Sequence, residues 1–195
     1  MGKGEETRKR IVTSTARLLN AQGYLSTPVS EIMRVAGLQK GGIYRHFESR
    51  AALTREAFEY AFASMRERLL GAIQGKVTAT DRLLALLEVA RGALDDDAFR
   101  GGCPVMNLAI ETDHADPKLR NLARDAMARL VGLFERIIGE GIERGEFAAG
   151  DARARAVVMV ASMEGAIMLS NLYKDQSYMD AVIAGLERNV RAGLR

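Results

Sequence analysis

The stretch Leu38-Gln39-Lys40-Gly41-Gly42-Ile43-Tyr44-Arg45-His46-Phe47 decides how the rest of the chain is read. Ile43 and Phe47 are four residues apart, one helical turn, so they share an inward face. The outward set is Gln39, Lys40, Gly41, Gly42, Tyr44, Arg45 and His46, donors with little side-chain bulk near the start. A glycine inside a helix costs roughly 1 kcal/mol relative to alanine, so two in a row need a reason. Close approach of the backbone to another surface, such as the floor of a major groove, is one. Just upstream, Val29, Ile32, Met33 and Ala36 form an apolar face and Gly37 follows as a turn residue. A helix, a glycine turn and a second short helix make a helix-turn-helix.

Charge is distributed to match. The 195 residues carry a formal net charge of only +3. Residues 1–55, however, hold ten basic side chains against four acidic ones, a net +6, and the remaining 140 residues carry 18 against 21, a net −3. A basic head on a mildly acidic body suggests that the head meets a polyanion, although a solvated charged surface gives the same count.

The residues Thr27, Ile32, Ala36-Gly37, Gly41, Ile43-Tyr44, His46-Phe47, Ser49 and Leu53 resemble the N-terminal domain of the TetR-type bacterial transcriptional regulators. The motif covers about residues 8–55. The family pattern of a long first helix, a helix-turn-helix and a fourth helix leading into a ligand-binding body extends over the whole chain. The resemblance implies that Gln39, Lys40, Gly41 and Arg45 face base edges, and that Thr27, Tyr44, His46 and Arg50 hold phosphates. The chemistry is compatible: Lys and Arg donate to guanine O6 and N7, Gln pairs with adenine, and phosphate donors set register. Packing beneath the turn is the alternative for Tyr44 and His46, and a solvated face for Lys40 and Arg45. Gly42 stands where the family often has a small hydroxyl residue, and Arg50 where Lys is usual, which keeps the charge.

Elsewhere the dominant period is also helical. Ile11, Val12, Thr15, Leu18 and Leu19 form one stripe, with Gly23 placed to end it. Leu53, Ala57, Ala61, Met65 and Leu69 form a second, joined by Phe58 and Phe62, and Leu83, Leu84, Leu86, Leu87 and Ala90 a third. A long fourth runs from Leu122 to Ile142 and stops near Gly145. Pro28, Pro104 and Pro117 each stand where a first helical turn is expected. Asp151 is a candidate N-cap for a helix whose run Val157 to Leu169 is apolar on nearly every face, which calls for a partner subunit as cover. The predicted fold is all-α with about nine helices: a DNA-binding head, residues 1–52, and a ligand-binding and dimerisation body, residues 53–195.

In the body, the resemblance implies that helices over roughly 152–173 and 177–193 pack against their copies. Ala161, Ser162, Gly165, Ala166 and Ser170 would allow close approach there. A two-fold dimer follows physically too, since one short recognition helix reads few base pairs. Cys103, in Gly101-Gly102-Cys103-Pro104, falls at a helix N-terminus near Arg100, and the segment resembles regulators that respond to electrophiles through a cysteine. The alternative is a small buried residue. Met106, Asn107, Ile110, Phe134, Met159, Met163 and Ile167 are candidates to line an effector pocket, or ordinary core. Glu164, a lone carboxylate in an apolar run, would pair with an arginine or meet a polar effector group.

Other classes find less support. A single Cys removes any disulfide framework and fits a reducing cytosol. Two histidines, no phosphate-binding glycine loop and no nucleophile–base set argue against an enzyme. His114 with Asp113 and Asp116 reads as a surface turn rather than a metal site, and no cofactor is expected. The charged N-terminus lacks a signal-peptide core, and the uncharged run Ala156–Met163 falls short of the roughly 20 residues a membrane span needs. The expected protein is a cytoplasmic, homodimeric repressor that holds a palindromic double-stranded DNA operator and is released by a small-molecule effector. A non-DNA-binding helical interaction module is the rival reading.

Overall fold

The computed structural model describes residues 2–93, 101–112 and 116–194. Among these there is no strand, and nine helices follow in order: α1 (Lys3–Gln22), α2 (Val29–Ala36), α3 (Lys40–Tyr44), α4 (Arg50–Ile73), α5 (Ala79–Arg91), α6 (Pro104–Thr112), α7 (Pro117–Glu143), α8 (Ala152–Tyr173) and α9 (Ser177–Arg191). The all-α prediction therefore holds. Arg100, Asp113 and His114 lie outside the described residues.

The chain divides into two compact units, residues 1–65 with 97–123, and residues 66–96 with 124–195. The motif-based division after residue 52 thus differs from the compact units, which divide within α4 and group α6 with the helix-turn-helix.

The first unit is organised by where its helices stop. Gly23 ends α1 with φ 106°, and its N–H donates to the Leu19 carbonyl. Gly37 ends α2 in the left-handed region, φ 64°, letting the Leu38 N–H reach the Met33 carbonyl at 3.1 Å. Pro28 sits one residue before α2 rather than inside its first turn. Pro104 and Pro117 occupy the first helical position as expected. Ile11, Leu19, Tyr24, Ile32, Ile43, Leu53 and Phe58 are buried, and the Tyr24 ring meets Phe58 edge-on at 5.9 Å. Each such side chain contributes about 1.5–3 kcal/mol of transfer free energy, set against the chain entropy of ordering it.

In the second unit, α9 packs against both α5 and α8. Arg91, the last residue of α5, pairs with Glu187 at 2.7 Å, and its carbonyl accepts the Gln176 side-chain amide at 2.9 Å. Thr78 caps α5 and Asp151 caps α8, accepting the N–H groups of Asp81 and Ala154. Glu146 accepts the Thr80 N–H at 3.1 Å. Desolvation opposes its ionisation, but backbone donors at Thr80 and Ala79 outweigh that and hold the carboxyl below its usual range.

The apolar helix α8 is only half covered. Met159, Val160, Met163, Ala166, Ile167 and Ser170 face its own subunit. Ala154, Val157, Val158, Ala161, Met168 and Leu172 are exposed, Val158 at 61% and Leu172 at 67%. Successive members of this stripe are one to seven residues apart, keeping one side of the helix, and none is charged. Two of the small residues expected at an intersubunit contact are corrected. Ala166 is buried in its own core, and Ser170 is buried with its hydroxyl accepting the Met179 N–H at 3.0 Å. The expectation that no segment reaches membrane-spanning dimensions is corrected as well. By length and composition alone α8 would suffice, as do the core helices of many water-soluble proteins.

Candidate nucleic-acid interface

The outward face expected from the sequence is present. Ile43 and Phe47 are buried beneath α3, while Gln39, Lys40, Gly41, Tyr44 and Arg45 are exposed and His46 is half-buried. The helix itself is five residues long, shorter than its pattern suggested. Gln39 is its N-cap and Arg45 its C-cap, the latter still with helical φ and ψ. Below it, the Arg8 guanidinium lies 4.9 Å from the centre of the Phe47 ring and pairs with Glu56 at 2.6 Å. Part of the basic excess therefore anchors the head internally. Lys9, Arg10, Lys40, Arg45 and Arg55 remain exposed.

The paired glycines have no internal explanation. A Cβ on Gly41 would meet nothing within 4 Å, and one on Gly42 would make ordinary contact with Leu38. Neither has the positive φ that would require glycine. Because each costs roughly 1 kcal/mol in a helix, the folded chain alone would do better with alanine. Gly41 is thus free of any steric or backbone demand from within the chain. Gly41→Ala is accordingly expected to raise the midpoint of urea unfolding slightly while weakening binding to a selected duplex. A variant equally strong on DNA removes the close-approach argument.

Two of the residues expected to hold phosphates have side-chain donors engaged within the chain. Thr27 is 2% exposed and its hydroxyl donates to the Gly23 carbonyl at 2.6 Å. Arg50 turns inward: its Nη2 donates to the carbonyls of Thr27 at 2.6 Å, Leu25 at 2.8 Å and Tyr24 at 3.3 Å. The Thr27 hydroxyl and the Arg50 Nη2 thus hold the turn between α1 and α2. A guanidinium reaches several carbonyls at once, which sequence position alone does not reveal.

The residues expected to line an effector site fall in two groups. Cys103, Met106, Asn107 and Ile110 belong to the first compact unit, and Phe134, Met163 and Glu164 to the second. Phe134, Met163 and Glu164 are buried. Ile110 is 70% exposed, so it points to solvent rather than into a core. Met106 and Asn107 are half-buried. The Asn107 amide donates to the Asn20 carbonyl at 3.1 Å, the Asn20 Oδ1 at 3.1 Å and the Gly101 carbonyl at 3.0 Å, which ties α6 to the end of α1. Cys103 is 1% exposed. Burial drives the Tyr24 phenol far above its usual range, and nearby Cys103 and Glu111 push it further. A thiol closed to solvent is poorly placed for electrophile capture. Among the described residues, no group of three or more His, Cys, Asp or Glu could hold a metal ion.

Sequence reasoning missed Asn20, Gly101 and Glu111. Asn20 donates to the Gly102 carbonyl at 2.9 Å, and Glu111 accepts the N–H groups of Tyr24 and Leu25. These partners are more than 80 residues apart, and no local pattern pairs them.

Comparison with known proteins agrees with this architecture. Residues 11–57 match the family model of the bacterial regulatory proteins of the tetR family, and residues 79–186 match the tetracyclin repressor-like C-terminal domain. A TetR transcriptional regulator from Chloroflexus aurantiacus superposes with a TM-score of 0.92 at 38% identity, covering 97% of this chain and 96% of its own. An HTH-type transcriptional regulator of Mycobacterium tuberculosis is 28% identical over 184 residues, which is 90% of this chain and 89% of that protein. The transcriptional regulator AcuR of Cereibacter sphaeroides is 30% identical over 166 residues, 79% of this chain and 71% of its own.

Proposed function

Because the chain belongs to the TetR family of bacterial regulatory proteins, a family of helix-turn-helix DNA-binding regulators, we propose that it is a homodimeric repressor of transcription. It holds a palindromic operator and is released when a small molecule binds its body. The outward face of Gln39, Lys40, Gly41 and Arg45 carries the reading: exposed donors around a glycine that nothing inside the chain explains. Lys40 and Arg45 offer donors for guanine edges, Gln39 for adenine, and Tyr44 and His46 for phosphate oxygens. Such a protein works in the cytoplasm, where its DNA is, and carries no catalytic centre.

The dimer rests on the exposed, uncharged stripe of α8. A second copy related by a two-fold axis would cover it and set two heads at the spacing of two half-sites. An effector that binds better to a body holding the heads at another spacing lowers operator affinity by the same coupling free energy.

Arg45→Ala tests the head. It is expected to weaken binding to a duplex enriched from a random pool by about 1–3 kcal/mol, the scale of one bidentate base contact, and to relax preference at one position. A gel-shift titration with unchanged affinity and unchanged preference would remove Arg45 from the base-reading set.

A further inference from the structure

The segment between α1 and α2 is gripped from both edges of its peptides. On one edge the carboxylate of Glu111, from α6, accepts the Tyr24 N–H at 2.7 Å and the Leu25 N–H at 2.8 Å, one on each oxygen. On the other, Nη2 of Arg50 donates to the carbonyls of Tyr24, Leu25 and Thr27. An anion and a cation therefore meet on the Tyr24–Leu25 peptide, Glu111 taking its N–H and Arg50 its carbonyl, through hydrogen bonds that charge strengthens to roughly twice the neutral value. The fit is close. A Cβ on Gly23, whose φ is 106°, would stand 3.1 Å from the Glu111 carboxylate.

We infer that Glu111 is a positioning residue for DNA recognition, fixing from α6 the two peptides that lead into α2 and so setting how α2 and α3 are presented. It does not touch DNA. The inference rests on reading the head as DNA-binding. The chemistry requires an acid at this position, because two N–H donors converge on one side chain. Glutamine keeps the shape but presents one oxygen, and turns an NH2 donor toward the second N–H. One grip is lost and the turn gains freedom. Because Arg50 holds the Tyr24–Leu25 peptide from the opposite edge and the next carbonyls of the same turn, loosening either side frees that turn.

The test uses full-length protein and two duplexes of equal length, one enriched from a random pool on the wild type and one scrambled. In Glu111→Gln, the ratio of affinities for selected over scrambled duplex is expected to fall about tenfold, the scale of one hydrogen bond to a charged group. Affinity for the scrambled duplex should stay as in the wild type, and the amides of Tyr24 and Leu25 should exchange hydrogen faster. Equal losses on both duplexes, following a lower unfolding midpoint, make Glu111 a stabilising residue only and overturn the inference. So does an unchanged ratio in a folded variant. If Glu111→Gln does not fold, Arg50→Met reports from the other edge: the same two amides must lose protection and the ratio must fall, and a retained ratio overturns the inference. A wild type that prefers neither duplex overturns the DNA-reading assignment itself, and the inference with it. A wild type that discriminates, beside a variant that discriminates equally, overturns the inference alone.

Discussion

Ala161→Arg is expected to leave a folded monomer that has lost its operator. Ala161 is exposed in the middle of the uncharged stripe on α8, between Val157, Val158 and Met168, so an arginine there extends into solvent in the isolated subunit. The midpoint of urea unfolding of the subunit should hardly move. In a dimer closed over this stripe, the substitution buries two like charges, one from each copy. An unpaired buried charge costs about 3–5 kcal/mol, and here there are two. Sedimentation should show a monomer at micromolar concentration, and affinity for the selected duplex should fall at least about a hundredfold, since 1.4 kcal/mol is tenfold. A dimer of unchanged stability would show that α8 is covered in some other way and would remove the two-fold arrangement proposed from it.

The second large effect belongs to Gly101. Its φ is 94°, a conformation L side chains rarely adopt, and a Cβ there would collide with the Asn20 carbonyl oxygen and stand 2.7 Å from the Ala21 Cα. Those atoms are backbone at the end of α1 and cannot turn aside as a long side chain could. Gly101→Ala must therefore strain its own backbone or lift the loop from α1. Lifting it breaks the bonds from Asn20 to the Gly102 carbonyl and from Asn107 to the Gly101 carbonyl. The expected loss is about 2–4 kcal/mol, combining local strain with overpacking, read as a lower midpoint of urea unfolding with unchanged slope. An alanine variant as stable as the wild type would mean that the close approach is dispensable. Since Asn107 and Glu111 lie on the same helix, a stable but altered Gly101→Ala should also show faster amide exchange at Tyr24 and Leu25.

These two positions mark how far the sequence could be read. Gly37 and Gly23 were legible as helix ends because a helix that stops on glycine satisfies its last carbonyls within a few residues of chain, and both do. The inward pair Ile43 and Phe47 was legible for the same reason: a four-residue spacing is a statement about one helix. Gly101 stands in the sequence only as part of Gly101-Gly102-Cys103-Pro104, ahead of a helix. What it requires comes from Asn20 and Ala21, about 80 positions earlier, and no local pattern contains them.

The candidate site divides along the same line. Lys40 and Arg45 are exposed, as expected of long cations beside a buried Ile43. Arg50 and Thr27 share their composition with DNA-binding residues, yet both spend their donors on carbonyls of the turn before α2. Which carbonyls lie within reach is decided by how α4 meets that turn. Ile110 likewise fits the period of a buried stripe and is nonetheless exposed, because periodicity identifies a face of α6 but not what lies opposite it.

Sequence alone, then, determined the class of fold, the order of the helices, the helix-turn-helix and the family. The first three follow from spacing within one helix or from residues a few positions apart, where the chain supplies its own reference frame, and the family from the resemblance carried by the motif around Gly41. Tertiary structure decided what each polar group is for. It brought Arg50 Nη2 onto three backbone carbonyls, gave Glu111 two backbone partners, closed Cys103 from solvent and left one stripe of α8 uncovered. The physical reason is that a hydrogen bond or a collision depends on distances of a few ångströms between segments far apart in sequence, and those distances exist only after the helices have packed.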